Sequence, residues 1–169
     1  NFLSTATNSR SDLEENGEGK SYIHYGDIHT KYGMHLDCSN EEIPTLRADL
    51  KVSVAEIKVG DLIMADASED LAGIGMAAEI TRLQDNKAVI SGLHTYVLRQ
   101  KKQIFYPRFQ GYFFNSEVIK SKYLKVYTGM KVFGVSKAAL KQLSFRIPNT
   151  ADQRKITEVL DPFNQEIVC

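Results

Sequence analysis

Residues 127–160, YTGMKVFGVSKAALKQLSFRIPNTADQRKITEVL, hold the densest run of punctuation in the chain. Thr128-Gly129 is a turn, Lys131 to Val135 reads as a short strand, and Ser136 is placed to cap a short helix from Lys137 to Gln142. A second alternating strand is expected over Leu143, Phe145 and Ile147, ended by Pro148. A new helix is then announced by Thr150-Ala151-Asp152-Gln153, whose Thr-x-x-Gln spacing is that of a capping box. Beyond it Ile156, Val159, Leu160, Phe163 and Ile167 recur at helical spacing and form one apolar stripe. A helix this short is marginal alone in water, and Pro162 must kink or interrupt it unless something packs on that stripe.

Upstream, residues 1–20 are polar, Gly-bearing and without apolar periodicity, so they read as a loop or mobile lead-in. Tyr22 to Ile28 is the first strand candidate. Gly60-Asp61 is a tight turn, Leu62 to Ala65 a buried strand, residues 66–75 a polar, Gly-rich loop, and Met76 to Leu83 the next strand. The turn Gln84-Asp85-Asn86-Lys87 is expected to join two strands as a hairpin. Ala88 to Ile90 and His94 to Leu98 give strand signals around a bend at Ser91-Gly92. Pro107 and Gly111 break the apolar stretch from Ile104 to Phe114. Asn115-Ser116 can cap a helix over Glu117 to Tyr127, with Val118, Ile119, Tyr123 and Val126 inward and Lys120, Lys122 and Lys125 outward. Beside those lysines, the turn Thr128-Gly129-Met130-Lys131 has the amides, hydroxyl and cation of a phosphate clamp.

A length of 169 residues allows one domain with a proper core plus a helical tail, and no internal repeat is visible. The longest apolar runs are too short to cross a bilayer, and the first residues lack the basic start and apolar run of a secretory signal, so no membrane segment is expected. Two cysteines, Cys38 and Cys169, make no disulfide framework and fit a reducing, cytoplasmic setting. The net charge of zero conceals polarisation. Residues 99–146 carry eleven Lys or Arg against one acid, Glu117, whereas residues 1–98 carry eight basic and sixteen acidic side chains. The basic block is interleaved with Tyr106, Phe109, Tyr112, Tyr123, Tyr127 and Phe133, as a phosphate-facing surface requires. The competing account is a solvated face whose charges pair with the acidic first half.

The order of pieces from the Gly turn through Val132-Phe-Gly-Val-Ser136, the short helix with Leu140 and Leu143, Ile147-Pro148 and Gln153-x-x-Ile156 resembles the end of a target recognition domain in type I restriction-modification specificity subunits, the HsdS family. The resemblance extends upstream through Tyr22 to Ile28, Val59 to Met64 and Ile90 to Arg99, and so spans most of the chain. It implies an α+β fold: a curved, partly barrel-like, mostly antiparallel sheet with a few short helices and a protruding C-terminal helix. It divides the chain into a DNA target recognition domain, 1–148, and the start of a conserved spacer or dimerisation helix, 149–169. In that family the first segment includes a strand and a Gly-Thr-Pro type loop absent here, so the chain is expected to start late or depart from the pattern. Stopping at Cys169, it resembles one half of a specificity subunit, or a piece of one.

The function the resemblance implies is sequence-specific reading of double-stranded DNA, half of a bipartite target, without chemistry of its own and with no cofactor. The partners it implies are methyltransferase (modification) subunits, a restriction subunit through the complex, and a second specificity half or a second copy through Ile156, Val159, Leu160, Phe163 and Ile167. Base reading falls to loops carrying Ser68, Glu69, His94, Tyr96, Arg108, Met130, Lys131 and Phe133, with Lys120, Lys122, Lys125, Thr128 and Gly129 on phosphates.

Several rivals start from the same residues. His24, His29 and His35 with Asp37 and Cys38 invite zinc, but their spacing matches no closed site. The acids of 66–75 invite a metal-dependent nuclease, which needs a lysine in the same strand pair; none lies between Lys58 and Lys87. Ala55 to Ile63 looks like a segment of self-splicing Hint domains, yet neither Asn1 nor Val168-Cys169 supplies the nucleophile or the terminal His-Asn pair. A protein-interaction module with a basic face is the remaining alternative.

Overall fold

The computed structural model of the chain describes residues 1–166. In order its elements are β1 (Phe2–Leu3), a 3-10 turn (Arg10–Asp12), β2 (Leu13–Glu14), β3 (Ser21–Ile23), α1 (Tyr25–Thr30), β4 (His35–Asp37), β5 (Thr45–Leu46) and β6 (Leu62–Ala65). There follow β7 (Ala67–Ser68), β8 (Ala77–Arg82), β9 (Val89–Ser91), β10 (Thr95–Leu98), α2 (Phe109–Asn115), α3 (Glu117–Tyr123), β11 (Phe133–Gly134), α4 (Lys137–Gln142) and α5 (Thr150–Glu166). The class is α+β and most pairings are antiparallel; β3–β9 and β4–β8 are parallel. The sheets are open, without a closed barrel: a five-stranded one ordered β1-β10-β6-β8-β4, a four-stranded one ordered β2-β5-β3-β9, and the pair β11-β7.

The strand period of two sorts the central sheet into two cores. Ile63, Ala65, Ala78, Ile80 and Val97 face one core with Ile28 of α1 and Leu36. Leu62, Met64 and Ala77 face the other, filled by Phe109 and Phe114 of α2, Ile119 and Tyr123 of α3, and Leu140 of α4. Glu79 of β8, itself buried, accepts from the Arg108 and Gly111 amides at 2.8 and 2.9 Å and so caps α2 from the sheet. Burial pushes the Glu79 carboxyl up, and those amide bonds oppose the shift.

Several expectations are corrected. The first twenty residues are part of the fold: Phe2 and Leu3 pair with Leu98 and Val97, and the Arg10 guanidinium binds the buried Asp27 carboxylate bidentately at 2.6 and 2.9 Å. Polar composition hid these anchors. The strand expected over Tyr22 to Ile28 stops at Ile23, because the His24 side chain accepts from the Gly26 amide at 3.1 Å and starts α1. The turn at 84–87 exists, with Asn86 at φ 57°, but joins no hairpin. Both edges of β8 are taken by β6 and β4, so β9 crosses to pair with β3. The strand expected over 143–147 is extended chain without a partner, and α3 ends at Tyr123 with Val118 outward, 71% exposed.

The last helix is capped one residue earlier than expected. Asn149 accepts from the Asp152 amide at 3.0 Å and donates to its carboxylate at 2.7 Å. Gln153, freed from capping, is buried: its oxygen accepts from the Tyr106 amide at 2.7 Å, and its nitrogen donates to the Ile104 and Pro148 carbonyls at 3.0 and 2.8 Å. Helix α5 continues through Pro162. Its apolar stripe is not its docking face. Ile156 and Leu160 border a groove, while Val159 and Phe163 are 62% and 61% exposed. Ile167 lies outside the described residues.

Candidate nucleic-acid interface

Two loops meet where β7 pairs with β11, Phe133 opposite Ser68 and Gly134 opposite Ala67. One is the acidic, Gly-rich loop 69–75; the other is the turn 128–134. Beside them opens a cavity of about 690 Å³ lined by Tyr25, His29, Ser68, Glu69, Asp70, Met76, His94, Lys120 and Val132, among others. Its floor is organised by short polar contacts. Ser68, buried, accepts from the Asp70 amide at 3.2 Å, Asp70 accepts from the Gly73 amide at 2.6 Å, and His29 Nε2–H donates to the Ala67 carbonyl at 3.1 Å. The backbone passes close at Gly73: a Cβ there would sit 2.4 Å from Ser68 Oγ and 3.0 Å from the His29 ring, so a larger residue would have to displace those side chains. Gly75 adopts φ 68° with the Tyr123 ring directly behind it.

His94 forms the cavity's other wall. It holds φ 57°, its Nδ1 lies 3.3 Å from Asp66 Oδ1, and Tyr25 packs edge-on at 5.4 Å. His94 is thus a half-exposed residue held in the left-handed region beside an acid. Sequence pattern gives Tyr25 no site role and offers His29 only to zinc; the His24 cap that opens α1 turns both toward this cavity.

The turn 128–134 is stiff at its base. Thr128 and Gly134 exchange both main-chain hydrogen bonds at 2.9 Å, the Val135 amide donates to the Asp66 carbonyl at 3.0 Å, and Phe133 meets the Tyr127 ring edge-on at 5.5 Å. Gly129 sits at φ 105°, where a Cβ would collide with the Val132 carbonyl oxygen, so the chain crosses itself closely. At the tip Met130 is 94% and Val132 56% exposed, with Lys131 between them.

Of the residues singled out from sequence, the fold thus brings Ser68, Glu69, His94, Lys120 and the turn Thr128 to Phe133 together. Others lie apart. Tyr96 packs edge-on against Phe2 at 5.5 Å beneath the Lys137 ammonium, 5.1 Å from its ring centre. Lys122 borders the groove between α3 and α5, and Lys125 is exposed. Arg108 serves α5: its Nε donates to both Asp161 carboxylate oxygens at 2.9 Å. Tyr112 Oη donates to the same carboxylate at 2.6 Å, and His35 Nε2–H donates to the Arg108 carbonyl at 2.7 Å. Burial, then the bond to Asp161, pushes the Tyr112 hydroxyl up to about 12, while burial lowers His35.

The polarised charge can now be followed in space. Of the eleven cations in 99–146, only Arg99 pairs with the acidic first half, through Asp61 at 2.6 Å; Arg108 pairs with Asp161 and Lys120 loosely with Glu117. Among the described residues the other eight make no ion pair: Lys101, Lys102, Lys122, Lys125, Lys131, Lys137, Lys141 and Arg146. The basic block is therefore not neutralised by the acidic half. Also among the described residues, no group of three or more His, Cys, Asp or Glu is placed to hold a metal ion, and no helix is long and apolar enough to cross a membrane.

The α+β scaffold thus carries a loop-built cavity and, spread over several faces, a block of cations that its own acids leave unpaired among the described residues. The sequence names the family. Residues 54–168 match the family described as type I restriction modification DNA specificity domain, and the chain belongs to it. No curated protein sequence matches this chain.

Solved structures share the fold. The HsdS subunit from Thermoanaerobacter tengcongensis aligns with a TM-score of 0.59 at 16% identity, over 99% of this chain and 36% of that one. A structure from work on complex assembly and conformational transition of the type I R-M system gives 0.58 at 16% identity, again over 99% and 36%. The type I restriction-modification S subunit from M. genitalium gives 0.55 at 15% identity, over 97% and 37%. The chain spans little more than a third of the length of these relatives.

Proposed function

We propose that this chain reads one half of a bipartite double-stranded DNA target for a type I restriction-modification complex acting in the cytoplasm. It does no chemistry itself and directs methyltransferase subunits, and through them a restriction subunit, to the site. Residues 1–148 are the recognition domain, and α5 begins the spacer that meets a second specificity half or a second copy. The observation that carries this reading is the basic block left unpaired on a type I specificity domain. Eight free cations supply the sequence-independent attraction to phosphate, with its dependence on salt. Glu69, His94, Lys120, Met130 and Lys131, gathered at the cavity and turn, are the set from which sequence preference is drawn. Ser68 supports Asp70 rather than reaching outward.

Selection from a random duplex library by this chain, co-expressed with its cognate methyltransferase subunit at moderate salt, tests the reading. Enrichment of one short or bipartite motif is expected. Stable folding and co-purification with no enriched sequence would overturn it and make the basic face a protein-docking surface.

A further inference from the structure

The tip of the turn 128–134 combines features that ordinary surface residues do not share. A single exposed apolar side chain needs no explanation. Here Met130 is almost wholly in solvent and Val132 more than half so, on a turn of four residues between Thr128 and Phe133. The turn's base is held by the reciprocal Thr128–Gly134 pair, by the register with β7, and by Phe133 against Tyr127. Among the described residues almost nothing covers Met130, and Val132 is covered only where it borders the loop cavity. Lys131 lies between them, Lys125 precedes the turn, and neither is ion-paired among the described residues.

An apolar tip on a stiff base, flanked by cations, is the chemistry of a wedge. The cations hold the flanking phosphates while an unbranched, polarisable side chain enters between stacked bases, which unstacks one step and bends the helix axis. The close crossing at Gly129 and the paired base restrict the backbone that carries the tip, which limits the entropy lost on insertion.

We infer that Met130, backed by Val132, is inserted into the bound duplex as a wedge that parts one base step and bends the DNA toward the loop cavity beside it. The inference rests on the proposed DNA recognition. It adds an indirect component to it, because pyrimidine–purine steps part most easily and would be favoured at the wedge even where no side chain touches a base edge.

The test uses the complex of this chain with its methyltransferase subunit, bound to the duplex enriched in the selection above. 2-Aminopurine is placed at successive positions and a donor–acceptor pair at the ends. Methyltransferases extrude the base they modify, so a signal at that base is scored separately. With the native chain, a several-fold rise in 2-aminopurine fluorescence is expected at one further step, with shortening of the end-to-end distance. With Met130→Ala both signals should vanish while affinity falls by less than about tenfold. Because Met130 is exposed, that variant folds as the parent does. Tight binding with no unstacking beyond the modified base, or unstacking unchanged in Met130→Ala, overturns the wedge and leaves the recognition reading intact. Failure to bind any duplex overturns both.

Discussion

Replacing Asp161 by Ala should loosen the terminal helix without unfolding the domain. The Asp161 carboxylate accepts from Arg108 Nε and from Tyr112 Oη, and the Arg108 and Asp161 side chains are 30% and 28% exposed. Hydrogen bonds to a charged group are worth about 1.5–3 kcal/mol each when well buried. Partial exposure screens this pair, and a value near the lower end, about 2 kcal/mol for the whole contact, follows. Two anchors remain: Gln153 with its three hydrogen bonds, and Asn164, whose Nδ2 lies 3.3 Å from His35 Nδ1. The helix should therefore open locally rather than detach.

A loss of about 2 kcal/mol multiplies the opening equilibrium roughly 30-fold. Native-state hydrogen exchange across 154–164 reads that factor directly. Asp161→Asn, which keeps an acceptor for Tyr112 but loses the charge facing Arg108, should give a smaller acceleration. Val159→Ala, on the outward side, should change exchange less than threefold. Unchanged exchange in Asp161→Ala, or equal acceleration from Val159→Ala, would refute the claim that α5 docks through its polar side.

Two further outcomes follow. His35 is held neutral: its Nε2–H donates to the Arg108 carbonyl, and its Nδ1 faces the Asn164 amide and the Arg108 guanidinium, with the Tyr112 ring and Asp161 completing its surroundings. With the folded pKa below the ordinary 6.5, stability is complete above that value and falls as pH drops toward the depressed one, because the unfolded chain then binds more protons. Buried His24, lowered chiefly by desolvation, adds the same sign. Thermal midpoints between pH 7 and pH 5 should therefore decline, and His35→Gln should flatten the decline; an equal slope in that variant would refute the assignment. Tyr123 is buried with no partner for its hydroxyl among the described residues, so Tyr123→Phe should leave the melting point unchanged or raise it by up to about 1 kcal/mol of stability. Gly75→Ala, at φ 68° against the same ring, should lower it by more than that in the same calorimetric series.

What could be read from sequence was whatever local chemistry decides. The Ser136 cap and the helix Lys137–Gln142 stand as expected, because the Ser136 oxygen accepts from the Ala139 amide at 3.1 Å and nothing distant competes. The buried strand at Leu62 to Ala65 and the turn before it were equally local. What failed depended on partners far along the chain. Whether the strands around Gln84–Lys87 pair is settled by β4 and β3, which occupy the edges that β8 and β9 would have offered each other. The first twenty residues are ordered by Leu98, Ser91 and Asp27, none of which a window of polar sequence can reveal. The candidate interface shows the same division. The turn at 128–134 and the loop after Ser68 were visible as punctuation, but their adjacency, and the entry of Tyr25, His29 and Lys120 into one cavity, exist only after β7 meets β11.

The terminal helix is held to the domain by a face that hydrophobic periodicity does not pick out. Its apolar positions recur at helical spacing and form a stripe, which sequence pattern assigns to a partner. The domain instead holds the helix by Gln153, Asp161 and Asn164, spaced eight and then three residues apart. Directional polar contacts fix one rotation and one register, whereas an apolar seam tolerates sliding by a turn. A helix fixed in this way keeps Val159 and Phe163 outward at a defined angle to the loop cavity. In the proposed complex that angle sets where a second recognition unit lies along the duplex. The polar dock then governs the phase between two half-sites, and the exposed apolar side chains govern whether a second unit is held at all.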